Sequence, residues 1–330
     1  MPIIIDCSGD IDQLQGRVDA VDLFHEKHPE NALIVILPEG LEKIRLGKLD
    51  DGYVHIEVSK RPVSQTFRAL KEHSNSVIVS SGNTSEVVTY AWRRAKLIHP
   101  DKFLAIITEL PKIGGKLIYG DAGARITEDV EGIVWSAVLG FLVAETLYHL
   151  TPLQIRIGLL NIGEEQNKGG KILSVASSIL KELFDGSYIG NVEIHDAISG
   201  KKPVDVLATY GLLGNASLKA LEGGVELIRH EVSSVCSDNS WLSLYGLLFK
   251  ISSKRLLRRL SWKDYNGAYL LGVKDPVIIA HGRSDSHAFY SALLKAVDPR
   301  TFAIYDSINL NNPLIKRSFS ILGNPKSLLS

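Results

Sequence analysis

Short apolar runs alternate along the chain with longer stretches in which apolar residues recur every three or four positions. The runs 3–5, 33–37, 55–58, 77–80, 104–108, 116–119, 155–161, 204–209 and 277–280 predict β-strands. Several are apolar on both faces, which suits a parallel sheet covered by helices on each side. Helical periodicity falls between them, at 63–73, 85–96, 128–150, 171–184, 217–235 and 285–296. Such alternation predicts a doubly wound, mostly parallel α/β fold. Residues 1–297 are expected to form one domain with a protruding helical segment at 217–263. Periodicity fades from Asp298 onward, so 298–330 is expected to be irregular or to pack as an appendage.

The predicted strand ends carry small and polar residues. They read Asp6-Cys7-Ser8-Gly9, Ser80-Ser81-Gly82-Asn83-Thr84, Gly120-Asp121-Ala122-Gly123, Asn161-Ile162-Gly163-Glu164-Glu165, Gly211-Leu212-Leu213-Gly214-Asn215 and His281-Gly282-Arg283-Ser284-Asp285. In open parallel sheets ligands bind beyond the carboxyl ends of strands, where following helices present free N–H groups to anions. One such loop is an ordinary tight turn; six in one chain point to a shared anion-binding cleft.

Composition narrows the function classes. With 330 residues and zero formal net charge, the chain offers no electrostatic reason to bind nucleic acid. Cys7 and Cys236 form no metal spacing and fit a reduced compartment. The opening Met-Pro-Ile-Ile-Ile-Asp lacks the basic start and long apolar run of a signal peptide, so a cytoplasmic location is expected. The apolar stretch 133–150 contains Glu145 and His149 and reads as a buried helix. No dinucleotide fingerprint, P-loop, HExxH or GxSxG motif is present, and no metal or organic cofactor is expected. Cys7 reads as a small buried residue rather than a nucleophile. Residues 240–263 stand apart, with Trp241, Leu247, Leu248 and Trp262 among Lys250, Lys254, Arg255, Arg258, Arg259 and Lys263. That mixture suits an interfacial helix on an anionic membrane surface, a core or dimer helix with a solvated basic face, or a dock for an acidic partner.

The run 158–169, Gly-Leu-Leu-Asn-Ile-Gly-Glu-Glu-Gln-Asn-Lys-Gly, resembles the signature of the bacterial phosphate acyltransferases of phospholipid synthesis. So do Ser81-Gly82-Asn83-Thr84, Tyr188-Ile189-Gly190-Asn191-Val192-Glu193, Gly214-Asn215 with Leu218-Lys219 and Glu222-Gly223, Tyr265-Asn266-Gly267-Ala268, and His281-Gly282-Arg283-Ser284-Asp285. Their order follows that family from residue 3 to about residue 297. The resemblance implies a fold like those of phosphotransacetylases and isopropylmalate-type dehydrogenases. It implies a homodimer, peripheral on membrane, that moves a fatty acyl group from acyl carrier protein to inorganic phosphate.

On that resemblance Asn83, Asn161, Lys168 and His281 are the candidate catalytic residues. Gly82, Thr84, Asp121, Gly163, Glu164, Glu165, Gly214, Asn215, Lys219, Gly282, Ser284 and Asp285 are candidates for substrate binding. Amide, hydroxyl and cationic groups of these kinds suit holding a phosphate near a thioester and stabilising the developing oxyanion. Asn83 and Asn215 also read as helix caps, and Lys168 and Lys219 as solvated lysines. The sequence departs from the family pattern at the shortened 6–10 turn, at the reduced 68–76 segment, at Arg125 and at Tyr210. Three functions fit: an acyltransferase with a rebuilt site using Arg125 or Arg68, a weakly catalytic scaffold for carrier protein or membrane, and a coenzyme A-dependent phosphotransacylase.

Overall fold

A computed structural model of the chain describes residues 1–40, 44–45, 54–73, 75–99, 104–237 and 262–323. Most of the basic segment at 240–263 therefore lies outside the described residues.

Eleven strands form one sheet among the described residues: β1 (Ile3–Asp6), β2 (Leu33–Pro38), β3 (Val54–Ser59), β4 (Val77–Ser80), β5 (Ala105–Lys112), β6 (Gly115–Gly120), β7 (Ile157–Leu160), β8 (Tyr188–Val192), β9 (Val206–Ala208), β10 (Ala268–Leu271) and β11 (Val277–Ile279). Their order is β3-β2-β1-β4-β11-β10-β5-β6-β9-β7-β8. The first five in that order are mutually parallel, as are the last four. Antiparallel pairing of β11 with β10, β10 with β5 and β5 with β6 joins the two halves. The halves consequently run in opposite directions, with a seam at β10 and β5. This is the mostly parallel α/β architecture expected from the sequence.

Helices α1 (Leu14–Lys27), α2 (Pro62–Glu72) and α3 (Thr84–Arg94) belong to the first half. Helix α4 (Val130–Tyr148) is apolar nearly all round because it is enclosed by β5, β6, β9 and other helices. By length and composition it is long enough to cross a membrane, yet 78% of its apolar window is buried inside the fold. Helices α5 (Gly170–Phe184) and α6 (Ile194–Ser199) follow β7 and β8. Helix α7 (Gly211–Ser237) leaves the carboxyl end of β9 and lies on the sheet face opposite α4. Adjacent residues of β6 show the two faces: Ile118 packs in the cluster around α4, whereas the Tyr119 hydroxyl donates to the Gly214 carbonyl on α7.

The chain closes with α8 (Ser286–Lys295), α9 (Pro299–Ser307) and α10 (Pro313–Leu322). The segment from Asp298, expected to be irregular or to pack as an appendage, is helical through Leu322. Ile304 and Ile315 are fully buried, and the Phe319 ring lies 4.8 Å from that of Trp135 on α4. The Tyr305 hydroxyl reaches the sheet, accepting from Val277 N–H and donating to backbone carbonyls there. Asp298 and Asn312 cap these two helices, each followed by a proline in the first turn. The sequence carries both start signals, and Leu314, Ile315 and Phe319 form the apolar face of the last helix.

Candidate active site

Three strand-end loops of the first half are locked together. Asp6, ending β1, is fully buried; its carboxylate accepts from the Ser80 hydroxyl at 2.5 Å and from Ser8 N–H at 2.9 Å. Burial raises its pKa against the lowering effect of those bonds. Ser81 donates to the Asp6 carbonyl and accepts from Gly9 N–H. Gly9 is required by contact: a Cβ there would stand 2.4 Å from the Gly282 oxygen and 2.7 Å from the Ser81 oxygen. The buried guanidinium of Arg17 on α1 donates to the carbonyls of Cys7, Asp10 and Gly282. Cys7 itself is buried and its thiol is pushed up by desolvation, which leaves it inert.

These loops border a cavity of about 300 Å³ at the seam between the halves. Gly82, Asn83 and Thr84 contribute from the end of β4, and Ala280, His281 and Gly282 from the end of β11. Ile106, Thr108, Glu109, Leu110 and Pro111 line it from β5, and Tyr265, Asn266 and Gly267 from the approach to β10. Helix α7 closes it with Asn215, Leu218, Lys219 and Glu222. Those four follow helical spacing, so a single face of α7 carries an amide, an aliphatic group, a cation and a carboxylate into one space. Lys219 has no ion-pair partner among the described residues.

His281 is fixed through its backbone and its ring. Its N–H donates to Asn266 Oδ1 at 2.9 Å, and its carbonyl accepts from the Ser284 hydroxyl. Asn266 Nδ2 reaches Ser284 Oγ and the Ala288 carbonyl, so the loop hangs on a buried amide. Nδ1 of the ring accepts from Arg283 N–H at 3.1 Å, and Nε2 faces Glu222 Oε2 at 3.4 Å. Asp285 caps α8 at Ala288 N–H and pairs with Lys263. Burial alone would raise its carboxyl, but Lys263 and the helix start outweigh it and hold it low.

A second buried polar group borders the cavity. Glu109 pairs with Lys116 at 3.1 Å. Nearby, Lys295 donates to the Gly267 carbonyl and sits 4.8 Å from the centre of the Tyr269 ring. Desolvation lowers its pKa to about 8 despite the attraction of Glu109.

The structure gathers part of the predicted constellation. Gly82, Asn83, Thr84, Asn215, Lys219, His281 and Gly282 meet in this cavity. Asn83 is also the cap of α3, accepting from Ser85 and Glu86 N–H, whereas Asn215 lies inside α7 and packs on Gly123. Ser284 and Asp285 sit behind the His281 loop. Asp121 is buried under four backbone donors, Ile106, Gly123, Ala124 and Arg125, and organises the turn after β6. Gly214 sits against the Asp121 carbonyl, where a Cβ has no room.

Asn161, Gly163, Glu164, Glu165 and Lys168 lie elsewhere, at the carboxyl end of β7. That strand is five places from β11 and runs the opposite way, so the loop is separated from His281 by about 24 Å of sheet at a normal strand spacing. Asn161 shapes this loop by donating to the Lys168 carbonyl and accepting from Ile162 N–H. Asn191 on β8 ties down the Glu165 carbonyl, and Glu164 pairs with Lys202. Arg125 pairs with Asp129 and Arg68 with Glu72, and neither lines the cavity. Glu109, Glu222, Tyr265 and Asn266 line it without having been singled out as site residues. Glu222, Tyr265 and Asn266 stood within the family-like motifs, and the helical spacing from Asn215 to Glu222 also pointed to the first of these three.

The chain matches the profile of a family described as fatty acid synthesis protein over residues 50–301. It is 34% identical over 256 residues to the phosphate acyltransferase of Pseudothermotoga lettingae, covering 76% of each chain. It is 31% identical over 306 residues to the phosphate acyltransferase of Thermotoga maritima, covering 89% of this chain and 91% of that one. Among solved structures, a branched-chain phosphotransacylase from Enterococcus faecalis V583 aligns with a TM-score of 0.54 at 13% identity, covering 91% of this chain and 99% of that one. That last likeness concerns the fold alone.

Proposed function

We propose that this chain, which belongs to the fatty acid synthesis protein family of phosphate acyltransferases, transfers a fatty acyl group from acyl carrier protein to inorganic phosphate. The observation that carries the reaction to the seam cavity is the placement of Lys219 and Asn215 opposite Asn83, Thr84 and His281. A phosphate oxygen attacks the thioester carbonyl, the new C–O bond forms, the C–S bond breaks, and the thiolate leaves and is protonated. Lys219 offsets phosphate charge, and the amide, hydroxyl and imidazole donors face the oxygen on which negative charge develops. The apolar side chains of Ile106, Leu110, Leu218 and Ile279 suit the start of an acyl chain. The test is incubation of the purified protein with acyl carrier protein thioester, with and without phosphate, with hydroxylamine trapping of acyl phosphate. Thioester that is stable in saturating phosphate rejects the reading.

A homodimer belongs to the same proposal. On the second half of α7, Leu227 is 63% and Ile228 49% exposed, a surface that a second copy would cover. Light scattering at micromolar concentration tests this: a dimer supports it, and a stable monomer rejects it. Peripheral membrane contact through 240–263 is proposed from composition. It requires cosedimentation with anionic vesicles at low salt, weakened as salt rises.

A further inference from the structure

Arg283 N–H donates to Nδ1 of His281, so that nitrogen offers its lone pair and the neutral ring carries its proton on Nε2. Nε2 faces Glu222 Oε2 at 3.4 Å. The Glu222 side chain is only 11% exposed, and among the described residues His281 is its one polar partner. A carboxylate so far withdrawn from water is costly unless its partner repays it. The other charged groups around this pair are otherwise engaged: Arg283 with Glu226, Asp285 with Lys263 and Glu109 with Lys116. Lys219, one helical turn before Glu222, faces the same cavity.

We propose that Glu222 is a positioning residue for His281, holding the imidazole with its Nε2–H directed into the cavity and yielding that hydrogen bond to a substrate oxygen. The proposal rests on the acyl-transfer reading only for the identity of the substrate. Two constraints act on the ring from the described residues. Arg283 N–H selects the tautomer and Glu222 selects where the remaining N–H points. Without Glu222 the imidazole keeps its loop but loses its aim. Helix α7 would thereby couple phosphate binding at Lys219 to donor orientation at His281, since both come from one rigid face.

Nitrogen-15 NMR of the full-length protein, with His281 assigned through His281→Asn, reads the ring directly and needs no turnover. The parent is expected to show the Nε2-protonated tautomer with a hydrogen-bonded Nε2–H. Glu222→Leu should lose that hydrogen-bonded signal, and Glu222→Gln, which keeps an acceptor, should retain it. In the acyl-transfer assay Glu222→Leu should lower kcat about tenfold, or roughly 1.4 kcal/mol, with KM for phosphate changed less than about twofold. Glu222→Gln should recover most of that loss. The Glu222→Leu, His281→Asn double variant should be no slower than His281→Asn alone, because one residue acts through the other. An unchanged imidazole spectrum in Glu222→Leu, or fully additive losses in the double variant, overturns the proposal. A parent protein without acyl transfer but with the expected spectra would reject the functional reading and leave the positioning role standing.

Discussion

The guanidinium of Arg17 lies 3.2 Å from the carbonyl oxygen of Gly282, joining helix α1 to the loop that carries His281. The same group holds Cys7 and Asp10, so one buried cation ties the first strand-end loop to the last. Replacing it takes the guanidinium donor from the buried Cys7 carbonyl, while the Gly282 and Asp10 carbonyls each keep one backbone N–H, from Asp10 and Gln13. Arg17→Met is expected to cost about 1–3 kcal/mol of unfolding free energy, the cost of one orphaned buried acceptor. Denaturant unfolding measures it, and a loss below about 1 kcal/mol contradicts the assignment.

Gly9 faces the same junction. Gly9→Ala must move backbone oxygens of Ser81 and Gly282 rather than flexible side-chain ends. A destabilisation of about 1–3 kcal/mol is expected, with lowered activity, because both displaced loops line the cavity. Gly223→Ala supplies the contrast. It sits on α7 in open space, and removing the helix penalty of glycine should stabilise by up to about 1 kcal/mol. Equal effects in the two variants would argue against the packing account.

Lys295 makes a prediction about pH. Desolvation lowers its folded pKa to about 8 from the ordinary lysine value of 10.5. Between those values the unfolded chain binds the proton more than the folded chain does, so stability from this group rises with pH across that window. The difference in unfolding free energy between the parent and Lys295→Met should therefore shift in favour of the parent from pH 8 towards pH 10.5. A difference that is flat or opposite in slope rules out a desolvated lysine.

Lys219 should act mainly on phosphate. Lys219→Met is expected to raise KM for phosphate about tenfold or more, the effect of losing roughly 1.4 kcal/mol of binding, with the acyl carrier protein KM moved much less. Initial rates over a phosphate series decide it. A phosphate KM equal to the parent's would remove Lys219 from the anion site.

The fold was legible where one periodicity dominated. Val77–Ser80 is wholly buried and bounded by polar residues, and it forms the expected strand. Tyr188–Val192 was missed because Gly190 and Asn191 interrupt its apolar character and it lies at the sheet edge. Helix α1 was missed because Arg17 and His25 are buried on its inner face and blur the apolar stripe. The direction of each half was not readable, since apolar runs do not reveal that β10 and β5 reverse the sheet. That reversal is why the Asn161–Gly169 run and His281, both conspicuous as motifs, emerge apart. Glu222 was hidden for a similar reason: its spacing on α7 was visible, but its approach to His281 depends on tertiary packing.

The most direct test of the central claim compares acyl phosphate formation from acyl carrier protein thioester by the parent and by His281→Ala. The parent should form acyl phosphate at a rate that rises with phosphate and saturates. His281→Ala should be at least about tenfold slower, the scale of roughly 1.4 kcal/mol of lost transition-state stabilisation, while keeping the parent's unfolding midpoint. A His281→Ala protein that forms acyl phosphate at the parental rate across the phosphate series would place the reaction outside this cavity.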